Sequence, residues 1–429
     1  MKINKKLLVI AMASALPWMS AYAQSPADLQ KEIELLKGQL KMLSEKIEAM
    51  SAREEPAKMA QQVTRLEQKI DLAEEDSIKA GFKGLKIKGA MEVAYLNDSS
   101  SITAGFEKSR GNGGNGAAMF EITKEPDAGI GWTLRLIPLS GSGSIVHEAS
   151  VAVPFGDGGA KINAGLTPDY SGYELVMGHQ NPLITNNLLY TNAASNYVGV
   201  GTSHDFGGGW TAKWMVGQVD GYASRKAPGL AYRGDYSMGE YSGIGFSGVH
   251  VRTNDARPYL NGVPDPLGTP NLNADLMEID GYYTRGDLSL QGQVSVGRLI
   301  GGAMDGSGLD GKWWGVSGFA GYKVTPRLQT IARLDFVSNR ENGGGVYFNH
   351  DGAYGPERTD EAGTPNADPS IGTNRYALSI GTNYAVNANT QWKTELRLDR
   401  STGYNFLDAD GVTYKQGKTT LGTSIVVSF

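Results

Sequence analysis

The residue types that most often perform catalysis or bind metals are scattered in this chain. Cysteine is absent, which excludes thiol catalysis, thiolate metal sites and disulfides. Two Asp-Gly-rich runs, at 305–311 and 408–411, lack the terminal Glu spacing of an EF-hand. We interpret both runs as surface turns, and we expect no catalytic residues, metal site or cofactor. The five histidines show no HxxxH or HExxH spacing and lie at His147, His179, His204, His250 and His350.

Charged residues instead alternate with apolar ones along many short segments. The segment 392–398 reads Trp-Lys-Thr-Glu-Leu-Arg-Leu, and similar alternation occurs at 85–95, 130–136, 288–296 and 328–336. Alternation gives a strand one apolar face and one hydrophilic face. The apolar faces recur throughout residues 85–429, and no helix-rich layer is available to cover them. This pattern predicts an all-β transmembrane barrel with apolar faces toward lipid and charges toward a wet lumen.

Composition agrees with this class of protein. The 58 glycines and 20 tyrosines suit short strands, tight turns and aromatic girdles. No uncharged apolar stretch of about 18 residues follows the amino-terminal region, so a helical span is not expected. Without three amino-terminal lysines the chain has 37 basic against 45 acidic residues. An acidic balance does not favour nucleic-acid binding.

The amino terminus has the layout of a secretory signal peptide. Lys2, Lys5 and Lys6 precede an apolar run over 7–16, and Ala-Tyr-Ala at 21–23 forms a small-x-small cleavage site. We therefore predict three regions: a signal peptide at 1–23, a coiled coil at 24–80 and an outer-membrane barrel at 81–429.

The predicted coiled coil rests on a heptad repeat that Pro56 interrupts. A single amphipathic helix lying on the barrel is the alternative. Isoleucine at a and leucine at d favour a dimer, whereas porin barrels are usually trimers, and three heptads do not decide between them. The core positions are Ile33, Leu40 and Ile47 at a, with Leu29, Leu36, Leu43 and Met50 at d.

Connection lengths predict the number of strands. Short links, such as 324–326 and 386–388, alternate with long ones, such as 169–195 and 338–374. Short periplasmic turns and long outer loops characterise membrane barrels. The count is about 16 antiparallel strands, with 14 or 18 as alternatives because the strand near 230–238 is weak. Both barrel ends, and the coiled coil, are then periplasmic.

Two segments resemble known proteins. The final strand, Leu421–Phe429, resembles the closing strand of Gram-negative outer-membrane barrels, in which the aromatic terminus is an assembly signal. The segment 173–190 resembles the loop of an uncharacterised proteobacterial porin-like family that joins a signal peptide, a coiled coil and a β-barrel. The resemblance implies an outer-membrane channel. It also implies that Phe429 is recognised by the barrel-assembly machinery.

The third outer loop, 169–195, is the candidate constriction, since a loop at this position folds inward in general porins. A short helix is expected around 182–190. The loop residues are Asp169, Tyr170, Tyr173, Glu174 and His179, and we expect them to face a basic pore-lining wall on the first, twelfth and fourteenth strands, formed by Lys86, Lys88, Arg333, Lys393 and Arg397. A basic wall opposite an acidic loop would produce a transverse field. Alternatively, these charges pair locally across strands.

These features predict a passive diffusion channel, a porin for small hydrophilic solutes or ions, and a homotrimer. The alternatives are a porin specific for a sugar or an anion, and an envelope tether or adhesin whose barrel is plugged. The expected partners are outer-membrane lipid, lipopolysaccharide and the barrel-assembly machinery, with peptidoglycan as a partner of the coiled coil. No nucleic acid is expected.

Overall fold

The computed structural model describes residues 84–99, 105–107, 118–125, 129–137, 145–156, 158–175, 178–194, 196–219, 228–253, 259–260, 263–264, 272–301, 309–339, 357–368 and 370–429. The predicted signal peptide and coiled coil lie outside these residues. Two compact units are distinguished, and the first comprises residues 1–85 with 125–127. The second unit is a β-barrel that contains almost every described residue.

The barrel contains 16 long strands in chain order. They are β1 (Leu85–Asp98), β2 (Ala118–Lys124), β3 (Gly131–Leu136), β4 (Val146–Phe155), β5 (Ala160–Thr167), β6 (Tyr197–Gly207), β7 (Trp210–Val219), β8 (Gly229–Ser237), β9 (Ser242–Thr253), β10 (Leu272–Arg285), β11 (Leu288–Leu299), β12 (Gly311–Thr325), β13 (Leu328–Ser338), β14 (Arg375–Asn387), β15 (Thr390–Ser401) and β16 (Gly417–Ser428). A short segment, Gly105–Glu107, also pairs with β1. Two small hairpins lie in outer connections, one formed by Tyr259–Leu260 with Val263–Pro264 and one by Phe406–Leu407 with Tyr414–Lys415.

Antiparallel pairing between β1 and β16 closes the sheet, with Ala90 opposite Ser428 and Asp98 opposite Thr420. The predicted count of about 16 strands is therefore confirmed, including the weak strand at β8. The strand numbers of the basic residues were wrong, because Arg333 lies on the thirteenth strand and Lys393 and Arg397 on the fifteenth.

Connection lengths alternate as expected. Neighbouring strands at one end of the barrel are joined by two to four residues at 156–159, 208–209, 238–241, 286–287, 326–327 and 388–389. The other end carries the long connections, which include 168–196 and 339–374. Short turns are periplasmic and long loops are extracellular in such barrels. We call the segment 168–196 the third loop.

The two faces of the wall differ in chemistry as the alternation predicts. Leu334 and Val200 point outward and are 64% and 56% exposed, whereas the inward Glu278 and Asp399 are 1% exposed. Within the described residues, no helix has the length and apolar character needed to span a bilayer. The outward rows present an apolar surface to lipid, while ionisable side chains are collected inside.

The last residue closes the seam of the barrel. The backbone N–H of Phe429 donates to the carbonyl of Gly89 at 2.9 Å, and the N–H of Gly89 donates to the carbonyl of Phe429 at 3.0 Å. A Cβ at Gly89 would lie 2.2 Å from Cζ of Phe429, so the ring covers this glycine on the outer surface. An aromatic ring over a strand glycine protects the exposed backbone.

We predict that Gly89→Val lowers the free energy of unfolding by about 1 kcal/mol, because the displaced ring loses its contact area. Urea unfolding of the refolded barrel in detergent micelles measures this change. Gly234→Val is the matched control, since no atom lies within 4 Å of a Cβ built at Gly234. An equal loss in both variants would show that the Phe429 contact is not the cause.

Candidate functional site

The third loop lies along the inner wall. Near its start, Arg233 on β8 donates from Nη1 to the carbonyl of Tyr170 at 3.0 Å. Farther along, the Tyr173 hydroxyl lies 2.7 Å from Oγ of Ser317 on β12. The loop then reaches Ile184, which packs against Ala94 and Leu96 on β1. The loop therefore extends along the lumen from β8 to the seam between the first and last strands.

Arg333 on β13 is the central contact of the loop with the wall. Its Nη1 lies 2.8 Å from Oε1 of Glu174, and its Nε lies 3.1 Å from Oδ2 of Asp335. The same guanidinium donates to the carbonyls of Thr185 and Asn186 at 2.8 and 3.0 Å. Arg333 is 1% exposed. A buried guanidinium needs this number of acceptors, and here most of them belong to the loop.

The inward face of β15 holds the middle of the loop. Lys393 donates from Nζ to the carbonyls of Gly178 and Asn181 at 2.8 and 2.6 Å. Arg397 donates from Nη1 to the carbonyl of Asn186 at 2.5 Å, and its Nε lies 2.9 Å from Oδ2 of Asp399. The Lys393 and Arg397 side chains therefore bind backbone carbonyl oxygens of the loop from the inner wall.

Glu395, between these two cations on the same strand face, binds the loop by accepting hydrogen bonds. Its Oε2 accepts from the backbone N–H groups of Ile184 and Thr185 at 2.8 and 2.7 Å. Its Oε1 accepts from Oγ1 of Thr185 at 2.6 Å. Charge-assisted hydrogen bonds of this kind are among the strong ones in proteins.

The helix expected around 182–190 is absent, and that prediction was wrong. The described loop contains two short 3-10 turns, Gly178–Gln180 and Tyr190–Asn192, with irregular backbone between them. The reason lies in the wall, because its charged side chains satisfy the backbone N–H and carbonyl groups that a helix would pair internally. Glu174 also accepts from the N–H of Asn187 at 2.6 Å.

Apolar packing fixes the returning part of the loop. Leu188 and Leu189 are 1% and 0% exposed and belong to a cluster with inward-facing residues of the wall. The wall members of that cluster lie on β7 to β14 and include Met215, Ala231, Val249, Val251, Ala274, Leu276, Leu299, Trp313, Val337 and Ala377. Burying a leucine in such a cluster is worth about 1.5–3 kcal/mol.

The acidic loop and the basic wall predicted from the sequence are in direct contact over β13 and β15. Glu174 binds Arg333, while Arg333, Lys393 and Arg397 are buried beneath the loop. Their charges are compensated locally, so they do not face one another across a water-filled gap. The predicted wall residues Lys86 and Lys88 lie on β1, and the Lys88 side chain is 52% exposed and lies 3.7 Å from Glu121.

A second set of inward charges lies on β2, β3 and β4. Arg135 lies between two carboxylates, at 2.5 Å from Glu121 and 3.0 Å from Glu148. No hydrogen bond between this set and the third loop is found among the described residues. His179 of the loop is nevertheless close enough to this set to sense the positive charge of Arg135.

His179 and Asp169 are among the loop residues whose pKa values are shifted. Burial, reinforced by the positive charges of Lys393 and Arg135, lowers the pKa of His179 to about 4. Burial raises the pKa of Asp169 to about 6, although Ser171 and Tyr197 donate hydrogen bonds to it. Tyr170 lies over Lys213 of β7, with Nζ 4.2 Å from the ring centroid.

We predict that acidification disturbs the loop through His179. The lowered pKa means that neutral His179 contributes stability above about pH 6.5, and this contribution is lost as the pH falls toward about 4. Protonation would place a cation beside Lys393. Single-channel conductance should therefore change between pH 6.5 and 4 in the wild type and change less in His179→Gln. Identical pH profiles in the two proteins would contradict this prediction.

The sequence analysis did not identify Glu395 as a binding residue for the loop, or Asp335 as a counter-ion of the loop-binding Arg333. Glu395 had one signal, since it alternates with Lys393 and Arg397 on the charged face of β15. Asp335 alternates with Arg333 in the same way on β13. Residues of opposite charge at positions i and i+2 of a strand lie on the same face. On a lumen face, this spacing indicates that their side chains can pair.

A closed 16-stranded antiparallel barrel, with an apolar outer face, charged inner face and inward third loop, defines a porin-type outer-membrane barrel. The chain belongs to the family described as "Putative beta-barrel porin-2, OmpL-like", whose model matches residues 138–429. The function class predicted from the sequence, a porin channel of the outer membrane, is confirmed at this level. Among curated proteins, none matches the sequence.

Solved structures show the same fold at low sequence identity. A loop L8 deletion mutant of OmpT, an outer membrane protein of Vibrio cholerae, is 11% identical with a TM-score of 0.52, over 80% of this chain and 99% of that one. In-vitro folded OmpT in a trimer form is 12% identical with a TM-score of 0.52, over 80% and 99% of the two chains. An anion-selective porin from Comamonas acidovorans is 14% identical with a TM-score of 0.50, again over 80% and 99%.

Proposed function

We propose that the protein is a passive diffusion channel narrowed by its third loop, and that it has no enzymatic activity. The observation that carries this proposal is the attachment of the loop to only part of the wall. Its middle part forms hydrogen bonds with β8, β12, β13 and β15, and Ile184 packs on β1. Its last residue, Asn196, donates to the carbonyl of His147 on β4. Solutes would therefore pass between the middle of the loop and the wall at β2–β5.

The charges at this passage support weak selectivity. The exposed Lys88 is a cation, whereas Arg135 is compensated by Glu121 and Glu148. Lys161 on β5 is exposed near the periplasmic end. Compensated charges keep the lumen hydrated and polar without creating a strong field of one sign.

Three further parts of the proposal concern assembly. We place the barrel in the membrane as a homotrimer, consistent with the trimer form of the Vibrio cholerae protein. We retain the periplasmic coiled coil as a domain that engages peptidoglycan. Phe429, bound to Gly89 at the seam, is the residue through which the assembly machinery would recognise the closing strand.

Single-channel conductance of the refolded protein in a planar bilayer tests the function. A salt gradient gives the reversal potential, and a passive trimeric porin predicts conductance steps in groups of three with weak ion selectivity. Block of the current by a sugar or an anion at low concentration would instead support a solute-specific porin. No conductance from folded and inserted protein would support an envelope tether and contradict the channel.

A further inference from the structure

A groove of about 460 Å³ lies on the lipid-facing side of the wall, across β12 to β15. Its apolar side chains point outward, and Leu334, Tyr376 and Leu398 are 64%, 46% and 41% exposed. This surface is separate from the lumen and from the third loop. The lining residues are Val316, Leu334, Asp335, Phe336, Tyr376, Ala377, Leu378, Leu398 and Arg400.

Strand register explains the shape of the groove. Phe336, Tyr376 and Arg400 lie side by side in one row across the sheet. The next row on the same face consists of Leu334, Leu378 and Leu398. Gly318 faces Leu334 from β12 and contributes no side chain, and a Cβ built at Gly318 has no atom within 4 Å. The groove thus has an aromatic upper edge, a leucine floor and an open side.

The groove lies near the extracellular end of the barrel. Arg400 is the second-last residue of β15, immediately before a long outer connection. Trp314, Phe336 and Tyr376 form a continuous aromatic row, with ring centroids 5.1 and 5.0 Å apart. Aromatic girdles lie at the boundary between the hydrocarbon core and the headgroups. Arg400 is therefore at headgroup level, and the leucine row is at the level of acyl chains.

Basic side chains flank the aromatic row. Arg400 is exposed, and among the residues that the structure describes it forms no ion pair. Lys312, on the same face of β12 as Trp314, lies at the other end of the row. A guanidinium binds phosphate through two parallel hydrogen bonds, and desolvation beside aromatic rings strengthens such contacts.

We propose that this groove binds lipopolysaccharide of the outer leaflet through its phosphorylated, acylated glycolipid. A phosphate group contacts Arg400, and one acyl chain lies in the groove over Leu334 and Leu398. This occupant combines the two properties that the surface requires, an anionic headgroup at the level of Arg400 and a hydrocarbon chain below it. The site adds specific lipid recognition to the general contact of a barrel with its membrane.

The test is native mass spectrometry of the full-length refolded protein in detergent, titrated with Kdo2-lipid A. The wild type should retain bound glycolipid, and Arg400→Gln should weaken binding about tenfold, the expected loss of one charge-assisted contact. Gly318→Leu tests the groove itself, because a Cβ at Gly318 has no atom within 4 Å and the larger side chain would fill the open side. Phosphatidylglycerol serves as the competing anionic phospholipid.

Matched controls lie on other strands. Arg252, exposed on the outer part of β9, provides Arg252→Gln as a charge control, and Gly234→Leu on β8 is the bulk control. Normal binding in both groove variants, equal loss in the controls, or equal affinity for phosphatidylglycerol would overturn the proposal. Dissociation of an oligomer in the groove variants would also overturn it, by assigning the groove to a subunit contact. Conductance measured on the same samples reports the channel function separately.

Discussion

Replacement of Arg333 by alanine is expected to release the third loop from the wall and to lower the free energy of unfolding by about 3–5 kcal/mol. The change leaves Glu174 and Asp335 buried without their counter-ion. It also removes the donors to the carbonyls of Thr185 and Asn186. A loop without these contacts should leave a wider and less regular passage, so single-channel conductance should rise and fluctuate more.

Conductance in a planar bilayer and urea unfolding in micelles measure the two effects of Arg333→Ala. Lys161→Ala is the control for loss of an inward cation, since Lys161 is exposed near the periplasmic end of β5. Circular dichroism establishes that the variant barrel has folded. A folded Arg333→Ala barrel with wild-type conductance would show that the loop is held in place without this residue.

Glu395→Ala should free the middle of the loop near the seam of the barrel. The variant loses the acceptor for the N–H groups of Ile184 and Thr185 and for the Thr185 hydroxyl. Hydrogen bonds to a charged group contribute about 1.5–3 kcal/mol each, and three bonds to one carboxylate do not add fully. A loop released at this point should leave a wider passage. Liposome swelling should then show faster entry of larger sugars than in the wild type.

Glu395→Gln separates the loss of hydrogen-bond acceptors from the loss of charge. Glutamine keeps one carbonyl oxygen for the loop, so its sugar permeation should lie between those of the wild type and Glu395→Ala. Asp205→Asn is the control for the loss of one negative charge in the lumen, because Asp205 is an exposed acid near the periplasmic end of β6. An unchanged size limit in Glu395→Ala would contradict the role of this carboxylate.

The barrel was predictable because each strand carries its own signal. The alternation along 392–398 identified both the strand and its lumen face, and turn lengths gave the count. The loop was located for the same reason, as the long connection between two clear strands. These signals lie within short stretches of the chain, so they can be recognised in a single sequence.

The contacts of the loop were less predictable because they join residues far apart in the chain. Glu174 and Arg333 are separated by 159 positions, and Ile184 and Glu395 by 211. The irregular backbone over 182–190 follows from those contacts, so the short helix expected there from the sequence was wrong. The sequence shows that Arg333, Lys393 and Arg397 lie on the charged faces of their strands, but only the fold shows that they hold the loop.

The position of Ile184 has a consequence for the order of assembly. It packs on Ala94 and Leu96 of β1, and its backbone is held by Glu395 of β15, the neighbour of the closing strand β16. Those residues belong to the two ends of the barrel sequence and meet only when β1 pairs with β16. The loop can acquire its complete binding surface only after the sheet has closed. The channel is therefore narrowed in the last step of folding, and an incompletely closed barrel has no properly formed constriction.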